Sequence, residues 1–256
     1  MNLKIIVATH KPYYMPQDDI YMPVHVGRAL NDNWQQTELS TYTGDDIGEN
    51  ISEKNKNYCE LTALYWAWKN LDYEYLGLAH YRRHFKGSVG HDEWSSILTK
   101  PTVKRLIESY DVVLPKKRNY FIESTFDQYV HAHNKQDLDK TLEIITEYYP
   151  QYLSAWDKVM KSTSGHRFNM FIMKKEILDS YCTWLFDILF RLEECLDIFG
   201  YSANDRRVFG FVAERLLDVW LITNNISYTE LPVINMESQN WPKKILNFLK
   251  RKFIGK

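Results

Sequence analysis

The residues with the clearest chemical potential are His80-Tyr81-Arg82-Arg83-His84, five long polar or aromatic side chains that follow the apolar run Tyr75 to Ala79 with no turn residue between them. Adjacent guanidiniums can grip the oxygens of a diphosphate through forked, charge-assisted hydrogen bonds and stabilise negative charge as it develops on a departing group. The alternative is that both arginines pair with Asp or Glu on neighbouring helices. A second cationic pair, His10-Lys11, follows another apolar run, Leu3 to Ala8. In a parallel α/β sheet the carboxyl ends of strands share one crevice, so these segments are expected to converge.

Transfer of a group to a hydroxyl acceptor needs a base for the acceptor proton. Glu214 is conspicuous in the largely apolar stretch Val208 to Leu217 and is one candidate, although Arg215 beside it offers an internal ion pair. Asp205 is the other, set against its more ordinary use as a helix N-cap. Glu60 could orient Arg82 or Arg83. The one Asp-x-Asp pair, Asp137-Leu138-Asp139, falls in a helical stretch rather than after a strand, so a solvated helix face explains it better than a divalent-ion site. His80, His84 and His91 lack recognised zinc spacing. The expectation is that no metal or cofactor is required and that cationic side chains carry the phosphate charge; dependence on a divalent metal stays open.

The elements that must position these residues alternate in type. Leu3 to Ala8 and Tyr75 to Ala79 read as buried strands, and Asp111 to Leu114 as another. Tyr58, Leu61, Tyr65 and Trp68 recur at helical spacing and predict a helix over 54–70 with Ser52 as N-cap. A further helix is expected over 103–110. Residues 123–160 read as two or three helices with Pro150 ending one, 168–173 as a strand, 175–196 and 205–223 as long helices, and 227–234 as a last strand. Tyr65-Trp66-Ala67-Trp68 reads as packing rather than a sugar platform. The rhythm predicts an α/β fold with a central sheet flanked by helices and a helix-rich C-terminal half.

Apolar residues make up 45% and charged residues 25% of the 256, the balance of a folded soluble domain. The formal charge is −1, yet Trp241 to Lys256 holds six Lys/Arg and no acid, leaving −7 on residues 1–240. No broad basic face is implied, which argues against a nucleic-acid partner. In the tail, Lys243, Lys244, Lys250, Arg251 and Lys252 flank the apolar Ile245, Leu246, Leu249 and Phe253, an interfacial pattern suited to an anionic membrane surface. The expected organisation is a domain over 1–240 and a basic amphipathic tail over 241–256. Cys59, Cys182 and Cys195 lack CxxC spacing and read as buried reduced thiols. No apolar stretch reaches the length of a bilayer span and no leader pattern opens the chain, so a cytoplasmic location with peripheral membrane contact is expected.

Longer motifs carry a resemblance. They are Ala8-Thr9-His10-Lys11, Tyr21-Met22-Pro23-Val24-His25-Val26-Gly27, Gly44 to Ser52, Lys54-Asn55, Tyr58 to Trp66, Gly77 to Arg83, Asn169-Met170-Phe171 and Arg207 to Leu216. Together they resemble a family of bacterial capsule, exopolysaccharide and O-antigen proteins described as a domain of unknown function and associated with galactofuranosyl transfer. The resemblance implies a compact glycosyltransferase-A-like, Rossmann-like fold. It also implies a UDP-galactofuranose donor, inversion at the anomeric carbon and a lipid-linked glycan acceptor at the inner membrane face, with polysaccharide-assembly proteins as possible partners. It adds Thr9 and Asn55 to His10, Lys11, Glu60, His80, Tyr81, Arg82 and Arg83 as expected donor-site residues. His80-Tyr81-Arg82 would stand where such folds commonly place a metal motif. A transferase for another UDP-hexose and a noncatalytic glycan-binding subunit are the alternative readings.

Overall fold

The computed structural model describes residues 1–237. The expected tail, and with it Lys243, Lys244, Lys250, Arg251, Lys252 and the boundary at 240, lies outside the described residues. The chain runs through β1 (Leu3–Thr9), β2 (Tyr21–His25), β3 (Thr43–Gly44), the short helix α1 (Asn55–Tyr58) and α2 (Leu61–Asn70). It continues through β4 (Tyr75–His80), β5 (Arg83–Phe85), α3 (Lys100–Ile107), β6 (Val112–Pro115) and β7 (Arg118–Asn119). Then follow α4 (Thr125–Val130), α5 (Lys135–Tyr148), α6 (Leu153–Lys161), β8 (Ser164–Gly165), β9 (Phe171–Lys174), α7 (Lys175–Cys195), α8 (Val208–Thr223), β10 (Thr229–Leu231) and β11 (Val233–Asn235).

The main sheet has the order β10-β6-β9-β4-β1-β2-β3, with β5 pairing β4 and β11 pairing β5. β1 is parallel to both β2 and β4, whereas β9 is antiparallel to its neighbours β4 and β6. Alternation along β1 shows why its apolar run is continuous. Leu3 and Ile5 face one core with Ala79, Val113 and Ile172, while Ile6 and Ala8 face another with Leu76, Leu78 and the buried sides of α2, α7 and α8. Both faces are covered along Ile5 to Ala8, so these four positions are all apolar, while Lys4 near the strand's start is only half-buried. Ile5, Ile6 and Val7 are wholly buried, each contributing about 1.5–3 kcal/mol.

The expected helix over 54–70 is two helices. Cys59 interrupts it with φ 53° and ψ −129°, and the Asn55 side chain bridges the break by donating to the Cys59 carbonyl at 2.7 Å and to Thr62 Oγ1 at 3.0 Å. Ser52 is not an N-cap. Its hydroxyl is buried and donates to Asp45, whose carboxylate also accepts from Gly27 N at 2.8 Å, Arg28 N at 3.1 Å and Thr62 Oγ1 at 2.6 Å. This wholly buried carboxylate therefore ties the loop after β2 to α2. Asp45→Ala would strand those donors, and a loss of about 2–4 kcal/mol in urea unfolding is expected.

The strand expected over 168–173 begins only at Phe171, because Phe168 and Asn169 adopt φ of 78° and 52°. The last strand divides at Pro232 into β10 and β11. The Asp-x-Asp pair also departs from expectation in part: Asp139 is exposed and paired with Lys135, but Asp137 is buried and accepts from the hydroxyls of Tyr129 at 2.8 Å and Tyr201 at 2.6 Å. Of the cysteines only Cys182 is fully buried, and Cys195 is exposed. Tyr65 and Trp68 pack on Phe186, as expected of core aromatics. Among the described residues, no helix is long and apolar enough to cross a membrane.

Candidate active site

Register brings the two cationic segments together. Ala8 on β1 lies beside His80 on β4, and Tyr81 N donates to the Ala8 carbonyl at 3.2 Å. His80 pairs in turn with Arg83 across an antiparallel hairpin, so Tyr81 and Arg82 themselves make the turn that the sequence did not suggest. A cleft of about 500 Å³ opens at these strand ends. Thr9, His10, Asn55, Glu60, His80, Tyr81, Arg82, Arg83 and Glu214 all line it. Lys11 stands at its rim, with Nζ 5.1 Å from the Tyr81 ring centre and 3.7 Å from Glu237. Thr9 shapes the bend here: its hydroxyl donates to the Lys11 carbonyl at 2.6 Å.

Asp205 is elsewhere: it does not line the cleft and instead meets His133 Nδ1 at 3.2 Å and the Ser202 hydroxyl at 2.7 Å. His84 turns into the core, where burial pushes its imidazole down to about 4. Among the described residues no cluster of three or more His, Cys, Asp or Glu is arranged to hold a metal ion.

The two arginines differ. Arg82 reaches Glu237 at 3.2 Å with both side chains about 40% exposed, a pair of small energetic weight. Arg83 is half-buried, and its guanidinium lies 4.6 Å over the Phe168 ring with no ion pair or hydrogen bond among the described residues. Burial and then Arg82 hold its guanidinium below the usual range, with Glu214 and Glu60 opposing. A largely desolvated guanidinium without a carboxylate partner is costly unless an anion completes it. His10 is likewise held down by burial, followed by Lys11, Arg82 and Arg207, so the cleft disfavours added positive charge.

The opposite wall is α8 and the turn leading into it. Arg207, Gly210, Phe211 and Glu214 recur at three- and four-residue steps and line the cleft as one helical stripe. Arg207 is the functional candidate that reasoning from sequence passed over; its place seven residues before Glu214 was the available signal. Its Nε donates to Cys59 Sγ at 3.1 Å, across from the break between α1 and α2, while burial pushes the Cys59 thiol up to about 11.

Both carboxylates in the cleft are fixed by the 168–169 turn. Glu214 accepts from Phe168 N at 3.0 Å through Oε1 and from Arg215 at 2.8 Å through Oε2. Glu60 does not pair with Arg82 or Arg83; it accepts from Asn169 Nδ2 at 2.6 Å through Oε1 alone. His80 Nε2 donates to the Phe168 carbonyl at 2.6 Å, which sets its tautomer and leaves Nδ1 as the acceptor. Strained backbone at two non-glycine residues thus organises three site side chains.

The mixed α/β sheet with a cationic cleft at the carboxyl ends of its strands matches the expected glycosyltransferase-A-like fold, an assignment that rests on likeness to a solved glycosyltransferase. A solved structure described as the apo form of the bifunctional glycosyltransferase WbbM superposes with a TM-score of 0.83 at 33% identity, over 93% of this chain and 46% of that one. Residues 4–225 match the family model described as a domain of unknown function, DUF4422, and the chain belongs to that family. The chain spans about half the length of the solved structure it matches. No curated protein matches it.

Proposed function

We propose that this chain is a glycosyltransferase of cell-surface polysaccharide synthesis that moves a sugar from a UDP donor to a lipid-linked glycan acceptor, with galactofuranose as the sugar and inversion as the stereochemical course. The observation that carries the reading is Arg83, a half-buried cation whose guanidinium makes no ion pair among the described residues, at the start of β5 and facing the same cleft as Arg207, His10 and His80. These groups suit the pyrophosphate of a nucleotide donor. Likeness to one portion of a bifunctional glycosyltransferase supports a single transfer activity here.

In this reading Arg83 and Arg207 hold the diphosphate while the bond from its terminal oxygen to the sugar anomeric carbon breaks. The acceptor hydroxyl attacks from the opposite face and gives its proton to a carboxylate. Glu60 suits that role better than Glu214, because its Oε2 accepts no hydrogen bond among the described residues, whereas both Glu214 oxygens are engaged. Glu214 then acts as a positioning residue for the 168–169 turn. Asp205, outside the cleft, is set aside as base. Cationic side chains serve where a divalent ion would otherwise neutralise the leaving group, so turnover should survive a chelator.

The test is acceptor-dependent release of UDP from a panel of UDP-hexoses in furanose and pyranose forms. Release from UDP-galactofuranose above all others is expected. Release from a UDP-pyranose alone would reassign the donor, and none from any sugar nucleotide would overturn the transferase reading.

A further inference from the structure

The loop after β6 joins a basic run to an exposed apolar pair: Lys116, Lys117 and Arg118 precede Tyr120, Phe121 and Ile122. Phe121 is 80% and Ile122 70% exposed. This is not a slack segment. Arg118 and Asn119 pair with β8, the Tyr120 hydroxyl accepts from Arg167 Nε at 2.9 Å, and the next residue, buried Glu123, meets His131 Nδ1 at 3.0 Å. Phe121 is held at φ 61°, its N–H donating to Asn119 Oδ1 at 2.6 Å. A non-glycine residue at positive φ costs on the order of 1 kcal/mol, and here the strain serves to display an aromatic ring to solvent.

The basic side chains also lack close carboxylate contacts, although Asp218 and Glu230 act on Lys117. Lys116, Lys117 and Arg118 form no ion pair among the described residues; Lys117 lies by the ring of Tyr228, and Arg118 over the ring of Tyr120. The acids facing this region are committed inward, Glu230 and Asp218 to His166 and Glu123 to His131. The Tyr120 contact ties the loop to Arg167, the residue before Phe168 in the cleft wall, which places the loop beside the cleft.

We propose that the 116–122 loop is a membrane-contact surface, with Phe121 and Ile122 entering the headgroup boundary of an anionic bilayer and Lys116 and Arg118 meeting its phosphates. Exposed apolar groups with flanking cations are complementary to that surface. The contact would hold the cleft mouth near an acceptor carried on lipid. It stands independently of the C-terminal tail and extends the reading of a lipid-linked acceptor.

Co-sedimentation of the full chain with phosphatidylglycerol/phosphatidylcholine vesicles tests this. Phe121→Ser with Ile122→Ser should weaken partitioning at least about tenfold, and Lys116→Glu with Arg118→Glu by a similar factor, on anionic vesicles. UDP affinity should not change in the Phe121→Ser with Ile122→Ser variant, which separates failure of this proposal from failure of the donor-site reading. An environment-sensitive fluorophore on Ile122→Cys in a Cys195→Ser background should brighten on anionic vesicles and not on phosphatidylcholine alone. Undiminished partitioning in both double variants, or a silent fluorophore, would overturn the proposal. So would vesicle binding that is intact in variants that lose affinity for a soluble glycan acceptor, since the loop would then read sugar rather than lipid.

Discussion

Arg83→Ala is expected to weaken UDP binding by about 30- to 150-fold, the equivalent of about 2–3 kcal/mol. The magnitude follows from where the guanidinium lies. It is half-buried against Phe168 and makes no ion pair among the described residues, with Glu214 and Glu60 only partly opposing the effect of burial, so a pyrophosphate would gain a charge-assisted interaction that no carboxylate contact now occupies. Arg82→Ala should cost less, because its guanidinium is more exposed and already shared with Glu237. Arg83→Lys should recover part of the affinity but not the forked geometry. Uridine, which lacks phosphate, should bind wild type and Arg83→Ala alike in calorimetric titration. Equal loss for both ligands would mean that Arg83 supports the fold rather than the diphosphate.

Glu60→Gln should lower kcat by about two to four orders of magnitude with little change in donor affinity, as expected on removing a general base. The amide can still bond to Asn169 after a flip, so the side chain keeps its place and only the proton acceptor is lost. Glu214→Gln should behave differently. One Glu214 oxygen accepts from a backbone N–H and the other from the buried Arg215; an amide NH₂ on either side would oppose a donor. Donor affinity and stability should fall together, by about 1–3 kcal/mol in stability. Unchanged kcat in Glu60→Gln alongside a large kcat loss at unchanged UDP affinity in Glu214→Gln would exchange the two roles.

Much of this site was legible because the strands that carry it are simple. Ile5 to Ala8 and Leu76 to Ala79 are buried on both faces and so read as apolar runs, and the rule that parallel strands share a crevice at their carboxyl ends placed His10 and His80 to Arg83 together. The α8 stripe was legible in part: Glu214 stood out against its apolar neighbours, but Arg207 did not, since one arginine after Arg206 looks like an ordinary helix start.

What escaped notice depends on tertiary contacts. Nothing in Tyr58-Cys59-Glu60-Leu61 announces a helix break, because apolar spacing continues through it and cysteine has no preference for positive φ. The break is held by tertiary and local donors to the Cys59 carbonyl, the Asn55 amide and the N–H and hydroxyl of Thr62. The Phe168-Asn169 turn is silent for the same reason, although Asn tolerates the left-handed region better than most residues. Asp45 is a buried acceptor of several donors, a role fixed only when Gly27, Ser52 and Thr62 come together. The hairpin turn at Tyr81-Arg82 lacks Gly, Asn or Pro, so the segment read as a cluster rather than a bend.

The most direct measurement is a crystal structure of the chain with UDP bound. The diphosphate should lie at the ends of β1 and β4, with Arg83 donating to its oxygens from one side and Arg207 from the other, and with Glu60 Oε2 facing the open space beyond the terminal phosphate. A nucleotide bound outside this cleft, or one bound in it with the Arg83 guanidinium turned away from the phosphates, would contradict the account.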